Sequence, residues 1–402
     1  KHSNQSPMKT TKDINKDFSC DVNIILAETN HCLYNDNYKG YKIAYNVWES
    51  TKQPTDFFNK LKYYDELWVP SKWQKEFSIK QGYNPDKIKV IPEGVDISEF
   101  YYDDKVIKHD LTSDDSFTFF IAGRWEYRKA TKEIIETFLK TFNNNENVRL
   151  ILSVDNVYGD DSLPNSTEDK LELFGFNDDR LKVVHFPEIS EYIKLIKSSN
   201  VFLSCSRSEG WNIPLIEAMS SGVPSIYSNC SGQLEFAEGK GIPINILGVK
   251  SYDNDYLYYY EPDFNDLKIK MKHVYDNYSK YKEKAIIDSI QIRENFNWDK
   301  IAKLANDTIC DFLKNKNNNK NMLNDKNIIN INYKEGPKVE IIGNKDAEYY
   351  IEFINKKTND VLYSTTIKNN MWAKSSITYY VPWVIKINNN IVSELNIEDK
   401  DV

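Results

Sequence analysis

Cysteine is scarce: there are 5 in 402 residues, odd in number and scattered (Cys20, Cys32, Cys205, Cys230 and Cys310). They form no disulfide framework and show no metal-ligand spacing, which places the expected home of the chain in a reducing compartment, the cytoplasm. No run reaches the roughly 18 apolar residues that a membrane span requires. No signal peptide opens the chain. Net positive charge is lacking too. Lys and Arg number 52 against 60 Asp and Glu, a net of −8, which argues against a nucleic-acid partner with its need for a basic surface. A basic amphipathic helix is also missing, so membrane contact is expected only as peripheral attachment at the cytosolic face. Apolar material is present in quantity: 40% hydrophobic residues, with 8 Trp, 27 Tyr and 19 Phe, enough for real cores. The length fits two domains with room for a third.

Strand and helix patterns alternate along most of the chain. Residues 18–26, 41–48, 66–69 and 88–91 read as strands. Segments 54–64 and 71–80 between them read as helices, the second opened by the capping box Ser71-Lys72-Trp73-Gln74. A charged, irregular stretch at 97–115 reads as an interdomain linker. A second series follows: the strand 117–122, a helix at 131–142 with Ile134, Ile135, Phe138, Leu139 and Phe142 at helical spacing, then strands at 148–154, 181–186, 200–203 and 225–228 with helices between them. Such alternation implies a parallel, right-handed, doubly wound sheet. Helices are expected at 264–293 and 298–314 and an Asn/Lys-rich linker at 315–330. Four β-rich runs after Gly336-Pro337 (338–343, 349–354, 361–367 and 383–387) predict a small antiparallel module of sandwich type.

The most informative stretch is 204–224. After a short strand it turns at Glu209-Gly210 and enters a helix with Pro214 in the first turn, where the missing N–H costs nothing. The amides and dipole of that helix start are expected to seat an anion. Glu209-Gly210-Trp211-Asn212-Ile213-Pro214, Glu217-Ala218-Met219 and Gly222-Val223-Pro224 together resemble the donor-site signature of family-four glycosyltransferases, retaining enzymes of the GT-B fold. Asn212 departs from the pattern, which often has glycine there. Trp-Val-Pro-Ser at 68–71, Pro92-Glu93-Gly94-Val95-Asp96 and Phe296-Asn297-Trp298-Asp299 are similar to further segments of that fold. The resemblance implies two Rossmann-like domains: a partial, acceptor-side one at 1–96 and a nucleotide-sugar-binding one at 97–314. Linker 315–330 and the β-module 331–402 follow. The first domain is short for the fold, so either the chain is trimmed or an upstream segment or second subunit completes it.

The same resemblance implies the chemistry. A hexose or N-acetylhexosamine would pass from a UDP- or GDP-sugar to a glycan, lipid-linked or protein acceptor with retention, and with no metal or other cofactor. Fixed cations would carry the leaving-group charge. Arg124 and Lys129, in the loop after strand 117–122, match the diphosphate-contacting cations. Glu217 matches the acid that holds the ribose hydroxyls, a task suited to a group accepting two hydrogen bonds. Glu209 matches the acid beside the donor sugar. Gly123, Gly210, Trp211, Asn212 and Ile213 complete the donor side, the backbone of Gly210 and Trp211 offering amides to the sugar. His185 is expected at the nucleobase pocket. Glu49, ending a strand, and His31, in a loop, compete for an acceptor-side base. Trp48, Trp68 and Trp73 are expected in the core. A glycan-binding or scaffolding protein with a degenerate transferase domain is the rival reading, and a sugar-nucleotide hydrolase or epimerase on the same fold a third.

Overall fold

The computed structural model describes residues 19–26, 39–144, 146–158, 163–252 and 257–324, and beyond them seven strand segments between 328 and 395. It divides into two units, Lys1–Asn306 and Asp307–Val402.

The first unit holds two parallel sheets. In the first, β1 (Ser19–Leu26), β2 (Lys39–Tyr45), β3 (Glu66–Val69) and β4 (Ile88–Val90) pair in chain order. β3 is buried along its whole length, as a strand covered on both faces must be. Ser71 caps the Lys72–Lys80 helix as the capping box predicts, its Oγ accepting from the Gln74 amide at 3.2 Å. The Gln74 side chain does something else. It accepts from the Trp48 amide at 3.0 Å and donates to the Asn46 carbonyl at 2.9 Å, pinning the loop after β2 that carries Glu49.

The second sheet comprises β5 (Phe117–Ala122), β6 (Val148–Ser153), β7 (Leu181–Val183), β8 (Val201–Ser204), β9 (Ser225–Ser228) and β10 (Ile242–Ile244), all parallel, in the order β10-β9-β8-β5-β6-β7. Alternate residues of β5 feed opposite layers: Phe119 and Ile121 pack with the Thr131–Thr141 helix, Phe120 with the Ile213–Ser220 helix. The strand order reverses between β5 and β8. Ligands of such sheets collect outside the carboxyl ends of the strands at that switch.

Three differences from the sequence pattern stand out. The stretch 264–293 is two helices, Phe264–Asp276 and Tyr278–Phe296, broken at Asn277. The following helix, Trp298–Asn324, continues ten residues past 314 into the stretch read as a linker, since extending a formed helix costs less than starting one. A hairpin, β11 (Ile246–Tyr252) with β12 (Leu257–Pro262), stands apart from the parallel sheet. The Phe-Asn-Trp-Asp segment meets the stretch that follows β4. The Val95 amide donates to the Phe296 carbonyl at 2.8 Å, and Val95 bridges Asn297.

After the end of the Trp298–Asn324 helix, the described part of the second unit is antiparallel β. Its strands β13 (Ile328–Asn332), β14 (Lys338–Ile342) and β17 (Trp372–Lys374) form one sheet. β15 (Glu348–Asn355), β16 (Val361–Lys368), β18 (Trp383–Ile387) and β19 (Asn390–Leu395) form another. The four predicted runs are β14, β15, β16 and β18. Among the described residues no helix is long and apolar enough to cross a membrane.

Candidate active site

β5 and β8 end side by side, and their loops are tied together. The loop after β5 opens at Gly123, whose φ of +144° favours glycine, and closes at Ala130 in the left-handed region at φ 53°. Arg207, in the loop after β8, is nearly buried. Its amide donates to the Arg128 carbonyl at 2.7 Å, Nη1 donates to the Tyr127 carbonyl at 2.6 Å, and its guanidinium lies 3.9 Å from the Tyr127 ring centroid.

Between these loops lies a buried ion cluster. Glu209, only 1% exposed, receives Lys129 Nζ at 2.6 Å and Arg128 Nη1 at 2.9 Å. Arg128 Nη2 reaches Glu126 at 2.7 Å and, from the first sheet, Glu49 at 2.9 Å. Burial works to raise the Glu209 carboxyl, but Lys129 and Arg128 outweigh it and hold the group below the usual carboxylate range. Glu49 goes the other way. Burial and the nearby Glu209 push it up against the pull of Arg128. Glu93 is likewise pushed up to about 7, by burial and by Glu49.

The arginine of this cluster is therefore Arg128. Arg124, which the sequence pattern pairs with Lys129, is more than a third exposed, 3.6 Å from Glu126 and 5.1 Å from the Tyr158 ring centroid. Both Arg124 and Lys129 still border a narrow crevice with Gly123, Ser204 and Ser206.

On the other side of Gly123 opens a cleft of about 500 Å³, walled by Ser153, Asp155, Phe186, Pro187, Tyr192 and Pro214 among others. Tyr192 donates from its hydroxyl to Glu217 Oε2 at 2.8 Å. Burial pushes the Glu217 carboxyl up to about 7 while that hydrogen bond pulls it down. His185 is not one of the cleft walls. Its two ring nitrogens are held by Asp155 at 3.0 Å and Glu168 at 2.7 Å, which raise its pKa, and the next residue, Phe186, 65% exposed, supplies the wall instead.

The rest of the signature is more structural than expected. A Cβ on Gly210 would lie 2.4 Å from Val47 Cγ1 and 3.0 Å from the Trp48 carbonyl oxygen, so this glycine admits the first sheet's loop. The Trp211 side chain is core, 5.1 Å from Phe236 and 5.6 Å from Phe296 between ring centroids. Ile213, half-buried, packs on the same core. Asn212 sits at φ 89° and caps the helix, its Oδ1 accepting from Leu215 N at 3.4 Å and its Nδ2 donating to Ser204 Oγ and Gln233 Oε1 at 2.8 and 2.7 Å. Pro214 has no N–H, and Ile216 N is taken by the Asn212 carbonyl, so the anion seat narrows to amides ahead of Pro214.

Glu49 opens onto a second cavity of about 220 Å³, and Trp48, expected in the core, is half-buried on its wall. His31 lies outside the described residues. Tyr192 carried no local signal, Arg128 only its position beside Lys129, and Glu93 only its place in the Pro92-to-Asp96 segment.

Residues 103–243 match the family model described as glycosyl transferases group 1. An Escherichia coli UDP-Gal:alpha-D-GlcNAc-diphosphoundecaprenol alpha-1,3-galactosyltransferase is 31% identical over 206 residues, 45% of this chain and 47% of that protein. The chain thus aligns with about half the length of this curated relative. Among solved structures, Anabaena HepE in complex with UDP-glucose superposes with a TM-score of 0.56 at 14% identity, over 68% of this chain and 72% of that one. Sucrose-phosphate synthase from Thermosynechococcus elongatus does so with 0.53 at 17% identity, over 69% of each. These likenesses show the fold: two Rossmann-like sheets in the GT-B arrangement.

Proposed function

We propose that this chain, which carries a group 1 glycosyl transferase domain on a GT-B fold, moves a hexosyl or N-acetylhexosaminyl group from a UDP- or GDP-sugar to a hydroxyl of a glycan, lipid-linked or protein acceptor, with retention. In this reading residues 1–96 are the acceptor half and 97–314 the donor half. The carrying observation is the meeting of three things at the ends of β5 and β8: the Gly123 loop with its cations, the buried Glu209, and the cleft beside Tyr192 and Glu217. UDP-linked sugars are favoured by the donor in the name of the Escherichia coli relative and by the ligand of the Anabaena structure.

The roles follow from the chemistry. Glu217 accepts the ribose hydroxyls, and Phe186, Pro187 and Tyr192 enclose the nucleobase end of the cleft. Arg124 and Lys129 meet the diphosphate, with backbone amides near Gly210 and Trp211 assisting. In the transfer, the anomeric carbon–oxygen bond to the diphosphate breaks and its electron pair leaves on the phosphate. The acceptor oxygen bonds to the anomeric carbon from the same face, and its proton passes to the departing phosphate oxygen. Glu209, held ionised by Lys129 and Arg128, steadies the positive charge that builds at the anomeric carbon. Glu49 faces the acceptor. No metal takes part in this scheme.

The rival, a binding protein with a silent transferase domain, draws on two observations: Lys129 is already engaged by Glu209, and the helix start has few amides left. Nucleotide release from a panel of UDP- and GDP-sugars separates the two. Turnover by the chain, lost in Glu217→Ala and Arg124→Ala, supports the transferase. Equal release by all three proteins refutes it, and release without any acceptor product indicates a hydrolase.

A further inference from the structure

The hairpin β11–β12 belongs to neither parallel sheet, yet it reaches from the second to the first. Ser50 Oγ donates to the Tyr258 carbonyl and accepts from the Tyr258 amide, each at 3.1 Å, and the Thr51 amide donates to the same carbonyl at 3.1 Å. Trp73 Nε1 donates to the Tyr260 hydroxyl at 2.9 Å. The Tyr260 amide donates back to the Arg207 carbonyl at 3.1 Å, in the loop after β8. Strand alternation then puts Leu257 and Tyr259 on one side together. Both wall the 220 Å³ cavity, along with Trp48 and Phe57 from the first sheet's side, and Glu49 and Arg128 border it.

We propose that this cavity is a subsite for one neutral pyranose ring of the acceptor, with the hairpin as its outer wall. The inference rests on the transferase reading and adds the class of acceptor to it. Size is the first support. Pockets for drug-sized ligands run to about 300–1,000 Å³, so 220 Å³ takes a single ring. The second is the lining. Trp48, Phe57, Leu257 and Tyr259 offer apolar and aromatic faces for the C–H faces of a sugar, while Glu49 accepts from its hydroxyls. The third is charge. Arg128, the cation that borders the cavity, is already shared among the carboxylates of Glu49, Glu126 and Glu209, so it offers little to a ring bearing its own carboxylate or phosphate, which Glu49 repels. The fourth is placement. The Arg128 guanidinium touches Glu49 at 2.9 Å and Glu209 at 2.9 Å, so the pocket lies one side chain away from the donor-side acid.

Saturation-transfer NMR on the full chain tests this, using methyl glycosides of glucose, galactose and N-acetylglucosamine, with methyl glucuronide as the anionic probe, each with and without UDP or GDP. The expected result is saturation of ring C–H protons in at least one neutral glycoside and none in the glucuronide. Tyr259→Ala and Phe57→Ala should each weaken that binding about tenfold through loss of an aromatic face, and Tyr259→Phe should keep it. The two alanine variants sit on different elements, so a folding defect in one leaves the other informative. No neutral glycoside bound, equal binding of the glucuronide, or unchanged binding in both alanine variants would overturn the proposal. A nucleotide thermal shift on the same samples keeps the donor reading separate. Its absence with glycoside binding intact removes the donor assignment and leaves the pocket standing.

Discussion

At the scale of single residues, two ionisable groups carry the sharpest consequences. Glu217 titrates near 7 in the folded chain against an ordinary 4.5, chiefly through burial. The folded state therefore holds its proton to higher pH than the unfolded chain does. The associated stability is complete below about 4.5 and is lost as pH rises through about 7. Glu217→Gln cannot ionise, so it should match the parent protein near the low end and exceed it in alkaline buffer, by up to about 3 kcal/mol. Urea unfolding at both ends checks this, and equal stability at high pH contradicts it. Binding runs opposite to stability. In the proposed donor role it is ionised Glu217 that accepts the ribose hydroxyls, so nucleotide affinity should fall as pH falls through about 7. Tyr192→Phe, which removes the hydrogen bond that lowers this pKa, should move the midpoint of nucleotide affinity upward in calorimetric titrations. Arg128 is the second group. Removing it leaves Glu209 with Lys129 as its one cation, and Glu49 and Glu126 with less compensation. Arg128→Ala should cost about 3–5 kcal/mol in denaturant unfolding, the range for breaking a buried pair from one side. Pairing it with Glu209→Gln should recover much of that loss, and strictly additive losses would show that the two groups do not act as a pair.

At the scale of elements, the Ile213–Ser220 helix depends on its first residue outside. Asn212 supplies a left-handed conformation at φ 89° and three side-chain hydrogen bonds. Asn212→Gly relaxes the backbone while losing those bonds, and a glycine cap costs only a few tenths of a kcal/mol, so it should be close to neutral. Asn212→Ala loses the bonds and keeps the strain, and should cost about 1–2 kcal/mol. A thermal melt that ranks alanine level with glycine would show that the backbone conformation is not the issue. What was legible in advance follows the same division between local and distant causes. The buried strands β5 and β8, the Ser71 cap and the Pro214 helix start each announce themselves within a few residues, so their places in the sequence are readable. The ion cluster is different. Glu49, Arg128 and Glu209 meet only once two sheets and a hairpin have assembled, and in sequence Arg128 is indistinguishable from Arg124. The hairpin was silent for a related reason. Most of β11 is exposed, so it lacks the apolar alternation that marks a strand.

At the scale of the whole first unit, its two sheets are joined by close backbone approach as well as by ion pairs. The φ of Gly210 is not in the left-handed region, so a side chain there is excluded by space alone. The missing Cβ is the gap into which Val47 and the Trp48 carbonyl fit, at 2.4 and 3.0 Å from where that atom would be. Those residues directly precede Glu49, which reaches Arg128 at 2.9 Å. Adding one methyl group should therefore push the 46–50 loop outward, part Glu49 from Arg128, and disturb the pocket that Trp48 walls. The proposed nucleotide cleft, bounded by Ser153, Asp155, Pro187, Tyr192 and Pro214 among others, has no wall in that loop. Gly210→Ala should then weaken UDP or GDP affinity far less than transfer, since of the proposed nucleotide-side groups it disturbs only the backbone near Gly210 and Trp211, while transfer to any acceptor falls sharply. The double variant with Val47→Ala removes the nearest atom but not the Trp48 carbonyl, so it should restore transfer only in part. Transfer at the parental rate in Gly210→Ala, or nucleotide affinity lost along with transfer, would show that the two sheets do not meet at Gly210 during the proposed transfer.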